Sequence, residues 1–172
     1  RNQVAAIREV RPIEHVKIYD VYPEAAKRLA GDLAQEGLQT TVATSAEQAV
    51  RGCDVVASAT TSKEPVIRGE WLAPGTHLNS VGANAKAKRE VDSGVFQRTR
   101  VVVDFKEQVL QEAGDLIEAI ETKTFSESKI YAELADIVVG KKSGRDNSEE
   151  VTLFKSVGVA IEDVAVAAWV YR

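Results

Sequence analysis

The sequence predicts an α/β fold with a doubly wound, mainly parallel sheet and helices on both faces. Short apolar or alternating segments recur along the chain, and segments with helical spacing of apolar residues lie between them. Strands joined by single helices pair in parallel through crossover connections. The unbroken valines of Val101-Val102-Val103 are typical of a strand that helices cover on both faces. Because 172 residues with 44% hydrophobic content can bury one sizeable core, we expect a single domain over residues 1–172.

Strands are predicted where β-branched and aromatic residues alternate with polar ones or run together. The first such segment, Val16-Lys17-Ile18-Tyr19-Asp20, alternates and ends at Asp20. Asp54 to Thr60 and Thr76 to Val81 are more apolar, and we expect both to be buried. The predicted strands are 16–20, 40–43, 54–60, 76–81 and 101–104, with a further extended segment at 151–156.

Helices are predicted where apolar residues recur at three- and four-residue spacing. Arg11-Pro12 breaks the first helical pattern, and Pro23 begins the second, which Gly37 ends. Ser45 is the expected N-cap of a short third helix. The predicted helices are 2–10, 23–36, 45–50, 106–120, 126–138 and an amphipathic final helix at 160–171, with a polar loop at 141–150.

Composition and charge argue against several classes of partner. The 22 basic and 26 acidic residues give a net charge of -4 without the basic stripe that nucleic-acid binding needs. No apolar stretch approaches the roughly 20 residues of a membrane-spanning helix. Cys53 is the single cysteine, which predicts a reduced, packed thiol and a cytoplasmic protein. The histidines, the cysteine and the carboxylates lack metal-site spacing, so we expect no metal.

The start of the chain predicts that part of the fold lies upstream. The sequence begins at Arg1 inside a predicted helix and contains no methionine. In a dinucleotide-binding fold, a first strand and a glycine-rich loop precede such a helix. We therefore expect a Rossmann-like domain whose first strand and glycine loop are missing from this chain.

Asp20 is a candidate ligand for a nucleotide because ligands of open parallel sheets bind beyond the carboxyl ends of the strands. A carboxylate at the end of the strand after a nucleotide-binding helix can accept two hydrogen bonds from an adenosine ribose, and it repels a 2′-phosphate. That geometry favours NAD over NADP. The alternative is a surface aspartate that helps to start the next helix.

Polar residues follow two of the later strands. Thr60-Thr61-Ser62 ends one strand, and its hydroxyls can touch nucleotide phosphates or ribose; the alternative is a turn that satisfies its own backbone. Val81-Gly82-Ala83-Asn84 ends the next strand. There, Gly82 lets a flat nicotinamide ring approach the backbone, and Asn84 offers a neutral amide beside it. The alternative is a plain strand-to-loop turn.

A basic cluster of Lys86, Lys88 and Arg89 comes directly after these residues. It could neutralise a cofactor or a substrate carboxylate, or it could lie in a solvated loop. The sequence contains neither a serine nucleophile elbow nor a phosphate-binding loop of the ATPase type.

Taken together, several long sequence segments resemble the ornithine cyclodeaminase/mu-crystallin family across nearly the entire chain. These segments are Arg11-Pro12-Ile13, Val16 to Asp20, Asp54-Val55-Val56 to Thr60-Thr61, Gly69 to Asn84, Lys88-Arg89-Glu90, Thr152 to Gly158 and Ile161-Glu162-Asp163. Members bind NAD or NADP and include ornithine cyclodeaminase, an alanine dehydrogenase, reductases of cyclic imino acids and a cofactor-binding lens crystallin.

The resemblance implies an NAD-dependent enzyme of amino-acid or imino-acid metabolism that resembles ornithine cyclodeaminase and transfers hydride at an α-carbon. Alanine dehydrogenase or cyclic ketimine reductase activity is the alternative, and a non-catalytic, crystallin-like nucleotide-binding protein is the alternative from another class. By the same resemblance, Val157 falls beside a substrate contact. The implied cofactor contacts are Asp20, Thr60, Val81, Gly82, Ala83, Lys88 and Ser156.

Asn84 departs from the pattern of the cyclodeaminases that this sequence resembles, because they carry an aspartate there as proton donor and acceptor. An amide can hydrogen-bond but cannot relay a proton at neutral pH. The departure weakens the cyclodeaminase interpretation and leaves hydride transfer to an imine or oxo acid open. The resemblance further implies that an N-terminal domain, absent from this chain, grips the substrate carboxylate and pairs the complete protein into a homodimer.

Overall fold

Seven strands form two separate parallel sheets in the computed structural model, which describes residues 1–171. A two-stranded sheet lies in a unit that spans Arg1–Cys53, and a five-stranded sheet lies in a second unit that begins at Asp54. All described strand pairings are parallel, as the alternation of strands and helices predicted.

In the first unit, a helix packs against a pair of parallel strands. Pro23 lies in the first turn of that helix, and Gly37, with φ of +87°, lies just beyond its end. The Ser45 side chain accepts a hydrogen bond from the backbone N–H of Gln48 and caps the third helix. The elements are α1 Asn2–Arg8, β1 His15–Ile18, α2 Pro23–Gln35, β2 Gln39–Val42 and α3 Ala46–Val50. The buried core of this unit consists of Ile18, Ala26, Ala30, Leu33 and Leu38.

The second unit contains the larger sheet. Its strands are β3 Val55–Ser58, β4 His77–Ser80, β5 Arg100–Val103, β6 Ile130–Glu133 and β7 Thr152–Lys155. Their order in the sheet is β3-β4-β7-β5-β6, so the last strand of the chain returns to the centre. The registers pair Ser58 with Ser80, and Ser80 with Lys155. The carboxyl ends of these three strands therefore lie level with one another.

Short helices connect these strands. Asp92 caps one of them by accepting a hydrogen bond from the backbone N–H of Val95. The helices are α4 Ser93–Arg98, α5 Lys106–Glu112, α6 Gly114–Glu121, α7 Leu134–Val138 and α8 Ala160–Val170, with 3₁₀ turns at Gly69–Trp71 and Glu127–Lys129. Within the described part of the chain, no helix combines the length and the apolar character that a bilayer crossing needs.

Three helix predictions were wrong in part. The segment predicted as one helix at 126–138 is a 3₁₀ turn, strand β6 and helix α7, because Ile130-Tyr131-Ala132 pairs with β5. The helix predicted at 106–120 breaks at Ala113, where the backbone is extended. Next to the break, a side chain in place of Gly114 would overlap the backbone carbonyl of Lys88. The final helix has no buried residue and is apolar on more than one face rather than amphipathic.

His77 lies at the start of β4 and is partly buried. Its Nδ1 lies 2.7 Å from the Thr152 hydroxyl, and its Nε2 lies 3.1 Å from the Asn79 side-chain oxygen. Burial lowers the pKa of His77; the hydrogen bond with Asn79 raises it, the positive charge of Arg145 lowers it, and the net shift is downward from 6.5.

This shift predicts a loss of stability in mild acid. As the pH falls through 6.5, the unfolded chain binds a proton at His77 that the folded chain does not yet accept, so the free energy of unfolding decreases. Urea unfolding between neutral and mildly acidic pH should show this decrease, and His77→Gln should reduce it. His15→Gln, which removes an exposed histidine, should leave it in place. An equal decrease in the free energy of unfolding with falling pH in the wild type and in His77→Gln would contradict this account.

Candidate functional site

The candidate site is the edge of the larger sheet where β3, β4 and β7 end. Thr60 lies two residues beyond β3, Val81 directly follows β4, and Ser156 directly follows β7. The three strands are adjacent and in level register, so the structure brings these segments to one edge. The predicted residues at this edge are Thr60, Val81, Gly82, Ala83, Asn84, Lys88, Ser156 and Val157.

Glu90, a fully buried carboxylate, joins the first two of these strand ends. Its Oε1 accepts hydrogen bonds from the Ser58 hydroxyl at 2.7 Å and the Thr60 backbone N–H at 2.5 Å. Its Oε2 accepts hydrogen bonds from the Ser80 hydroxyl at 2.8 Å and the Gly82 backbone N–H at 2.7 Å. One oxygen thus accepts hydrogen bonds from the end of β3, and the other accepts them from the end of β4.

Glu90 is held in its charged form. Desolvation by burial raises its pKa, but the hydrogen bonds from Ser58, Thr60, Gly82 and Ser80 together outweigh that effect. The net result is a pKa below the ordinary value of 4.5, as expected for a carboxylate that accepts several hydrogen bonds.

The two strand-end turns also approach each other closely. A Cβ atom at Gly82 would overlap the backbone of Thr60 and the Glu90 carboxylate. Position 82 therefore needs glycine for this contact between turns, which is a different reason from the cofactor approach that the sequence predicted.

A buried ion pair lies beneath the same edge. The Lys155 ammonium is 3.1 Å from the Asp115 carboxylate, and both side chains are fully buried. Lys155 also donates to the Ser80 hydroxyl at 3.1 Å, and Asp115 accepts the backbone N–H of Glu90 at 3.2 Å. Removing one member of such a pair leaves an uncompensated buried charge and costs about 3–5 kcal/mol.

The turn after β7 is held by Asp104, which follows β5. One oxygen of Asp104 accepts hydrogen bonds from the Ser156 hydroxyl at 2.8 Å and from the backbone N–H groups of Val157 and Gly158, both at 2.9 Å. The proton of the Ser156 hydroxyl is therefore used within the protein, and its oxygen also accepts from the Gly158 N–H at 3.1 Å. Both Ser156 and Val157 are buried.

Asn84 is exposed, and its side-chain oxygen accepts a hydrogen bond from the Lys88 ammonium at 2.8 Å. An ammonium group can only donate, so the amide oxygen must face Lys88. This leaves the amide NH₂ of Asn84 free to donate to another group, since none of the described residues accepts from it. Asn84 is thus arranged as a hydrogen-bond donor.

Asp20 belongs to the first unit and lies two residues beyond β1. One of its oxygens accepts a hydrogen bond from the Tyr22 backbone N–H at 2.8 Å, just before α2 begins. This hydrogen bond lies in the turn before α2, and the N-cap residue Tyr22 has no side-chain cap hydrogen bond of its own. Its side chain is exposed, and within residues 1–171 its second oxygen has no hydrogen-bond partner.

Sequence reasoning missed the four buried charged residues of this edge. Lys155 could have been noticed, because a lysine within the apolar segment 151–156 requires a buried partner. Asp115, within a predicted helix, and Asp104, at the end of a valine strand, carry weaker signals of the same kind. Glu90 lies in a sequence segment that resembles the family, but its position in the sequence alone does not indicate a role.

The described side chains of this edge offer hydroxyl, amide, ammonium and carboxylate groups. Across residues 1–171, no group of three or more His, Cys, Asp or Glu side chains is arranged to hold a metal ion. Such a set can bind and orient a polar ligand through hydrogen bonds, while the buried carboxylates determine how the turns are held.

Comparison with known proteins agrees with this architecture. An alanine dehydrogenase from Archaeoglobus fulgidus is 38% identical over 170 residues, which are 99% of this chain and 52% of that protein. The chain thus spans about half the length of the curated relatives it matches.

Two solved structures share the fold over nearly the whole chain. One is Thermococcus litoralis Delta(1)-pyrroline-2-carboxylate reductase in complex with NADH and L-proline, with a TM-score of 0.94 and 44% identity over 96% of this chain and 52% of that one. The other is an archaeal alanine dehydrogenase dimer with bound NAD, with a TM-score of 0.93 and 37% identity over 98% of this chain and 52% of that one. They confirm the predicted Rossmann-like α/β fold class.

The family model described as the ornithine cyclodeaminase/mu-crystallin family matches residues 1–172. The resemblance inferred from the sequence segments is confirmed, and the chain belongs to the ornithine cyclodeaminase/mu-crystallin family.

Proposed function

We propose that this chain forms the cofactor-binding part of an NAD-dependent oxidoreductase that transfers hydride at the α-carbon of a small amino or imino acid. The observation that carries the proposal is the set of polar turns that β3, β4 and β7 present at one edge of the sheet. Ligands of open parallel sheets bind at such edges. The 44% identity to a reductase solved with NADH and L-proline supports the same conclusion.

The residues present fit NAD by their chemistry. The free oxygen of Asp20 suits a ribose hydroxyl, and the Thr60 hydroxyl and the Lys88 ammonium suit the polar groups of a nucleotide. Bound NAD or NADH supplies the hydride acceptor or donor. The residues that would hold it are Asp20, Thr60, Val81, Gly82, Ala83, Lys88 and Ser156, with Val157 beside the substrate.

Asn84 directs the proposal toward a reductase or dehydrogenase rather than a cyclodeaminase. Its oxygen is fixed by Lys88, so its NH₂ can orient a substrate or cofactor oxygen but cannot take up and return a proton. Hydride transfer to the carbon of an imine that is already protonated on nitrogen gives the amine directly, so this step needs no proton from position 84. Cyclodeamination of ornithine, which includes proton transfers, is disfavoured.

The complete protein is proposed to act on small amino or imino acids as a cytoplasmic homodimer. The solved dimer of an archaeal alanine dehydrogenase supports the assembly. Neither nucleic acid nor a membrane is part of the proposal.

Activity assays of the complete protein test the reaction class. We expect NADH oxidation with a preformed cyclic imino acid such as pyrroline-2-carboxylate, slower oxidation with pyruvate and ammonia, whose imine must first form through proton transfers, and no proline formation from ornithine, because Asn84 cannot relay a proton. NADH consumption followed at 340 nm and proline quantified by chromatography provide the readouts. Inactivity with every imine and oxo acid, or efficient cyclisation of ornithine, would refute the proposal.

Asp20 tests the choice of cofactor. Asp20→Asn keeps an acceptor for the Tyr22 N–H but removes the charge, so NADH binding should weaken by about 1–3 kcal/mol and the preference for NADH over NADPH should narrow. Calorimetry with both cofactors measures the two affinities. Glu24→Gln, which neutralises a highly exposed carboxylate in the first turn of α2, is the matched control and should change neither. Unchanged affinities in Asp20→Asn would exclude Asp20 from the ribose site.

A further inference from the structure

We propose that Glu90 is a positioning residue for the cofactor: its carboxylate fixes the separation and orientation of the turns after β3 and β4. This inference rests on the proposed function, because it assumes that those turns face a nucleotide. Glu90 itself is fully buried beneath the edge and does not need to contact the ligand.

The division of hydrogen bonds between the two carboxylate oxygens carries the proposal. Oε1 takes one hydroxyl and one backbone N–H from the end of β3, while Oε2 takes one hydroxyl and one backbone N–H from the end of β4. A rigid carboxylate that binds both strand ends in the same way sets the distance between them. A residue that only filled space would not distinguish the two strands.

The backbone bonds also determine how each turn faces the solvent. A peptide unit is planar, so anchoring the N–H of Thr60 or Gly82 restricts the orientation of that whole unit. The carbonyl on the opposite side of each plane, and the side chain of Thr60, are oriented as a consequence. These are the groups that a ligand at the edge would meet.

Glu90 is held in place from behind by a closed ring of hydrogen bonds. Its backbone N–H donates to Asp115, which also accepts from Lys155; Lys155 donates to the Ser80 hydroxyl, which donates back to the Glu90 carboxylate. Every member of the ring is buried. A carboxylate anchored at both its backbone and its side chain cannot shift without disturbing the strand ends.

The close contact at Gly82 leaves no free space between the two turns and the Glu90 carboxylate. A Cβ at position 82 would overlap both Thr60 and Glu90, so the two turns and the carboxylate already fill the available space. A turn that loses its hydrogen bond to Glu90 therefore has no free space between the turns to move into.

Glu90→Gln is the appropriate variant because it conserves shape. An amide has one oxygen and one NH₂ group, so in either orientation the NH₂ meets a backbone N–H, of Thr60 or of Gly82, and two donors face each other. One turn loses its anchor and the other keeps it. Asp92→Asn is the matched control, since Asp92 is a nearby carboxylate that also accepts two backbone N–H groups, from Gly69 and Val95, but away from the strand ends.

The experiment compares the complete wild-type protein with these variants at a temperature where all are folded. NADH affinity is measured by fluorescence, and amide hydrogen exchange at 58–62 and 80–84 is measured without cofactor. We expect Glu90→Gln to weaken NADH binding by about tenfold or more. We also expect faster amide hydrogen exchange in at least one of the two segments. Asp92→Asn should stay within about twofold of the wild type, because a purely structural loss alters stability and not the affinity of the folded protein.

Ser58→Ala provides a second, milder variant, since it removes one hydroxyl from Oε1 and leaves the Thr60 bond. We expect a smaller loss of NADH affinity than in Glu90→Gln. If Glu90→Gln does not fold, the affinity of Ser58→Ala decides whether Glu90 has the positioning role. Wild-type affinity in folded Glu90→Gln, or in Ser58→Ala as the sole folded variant, overturns the positioning role and leaves the proposed function intact. Absence of NADH binding to the wild type overturns both.

Discussion

The level register of three parallel strands is the constraint on which the candidate site depends. Ser58, Ser80 and Lys155 lie side by side at the ends of β3, β4 and β7. Because the strands run in one direction, each following segment leaves the sheet at the same edge. Residues almost a hundred positions apart in sequence, such as Thr60 and Ser156, reach that edge without any direct signal linking them.

Buried charges hold this edge together. Lys155, Asp115 and Glu90 are almost completely shielded from solvent, and burial of three charges is costly even when they are paired. A core of apolar residues would pack the same volume without that cost. The charged groups instead give directional hydrogen bonds to the strand-end turns, which an apolar core cannot provide, and Asp104 does the same for the turn after β7.

The sequence predicted the parts of the fold that depend on local patterns. It did not predict those that depend on contacts between residues distant in the sequence. The strands 54–60, 76–81 and 101–104 and the cap at Ser45 follow from periodicity and capping chemistry, and the structure contains them in shortened form. Strand β6 was mistaken for helix because its pairing with β5 is a tertiary contact that overrides local spacing. The ring of hydrogen bonds around Glu90 also depends on tertiary contacts. A single polar residue in the sequence does not indicate which distant donors will surround it in the fold.

The proposed function depends on the turns after β3 and β4, which lie side by side and would meet the nicotinamide end of a bound NAD. A crystal structure of the complete protein with NADH tests it most directly. We expect the nicotinamide end to lie against the turn at Gly82, with polar atoms of the cofactor within about 2.6–3.2 Å of hydrogen-bonding groups in the turns after β3 and β4. A cofactor that contacts neither of these turns would contradict the proposed function.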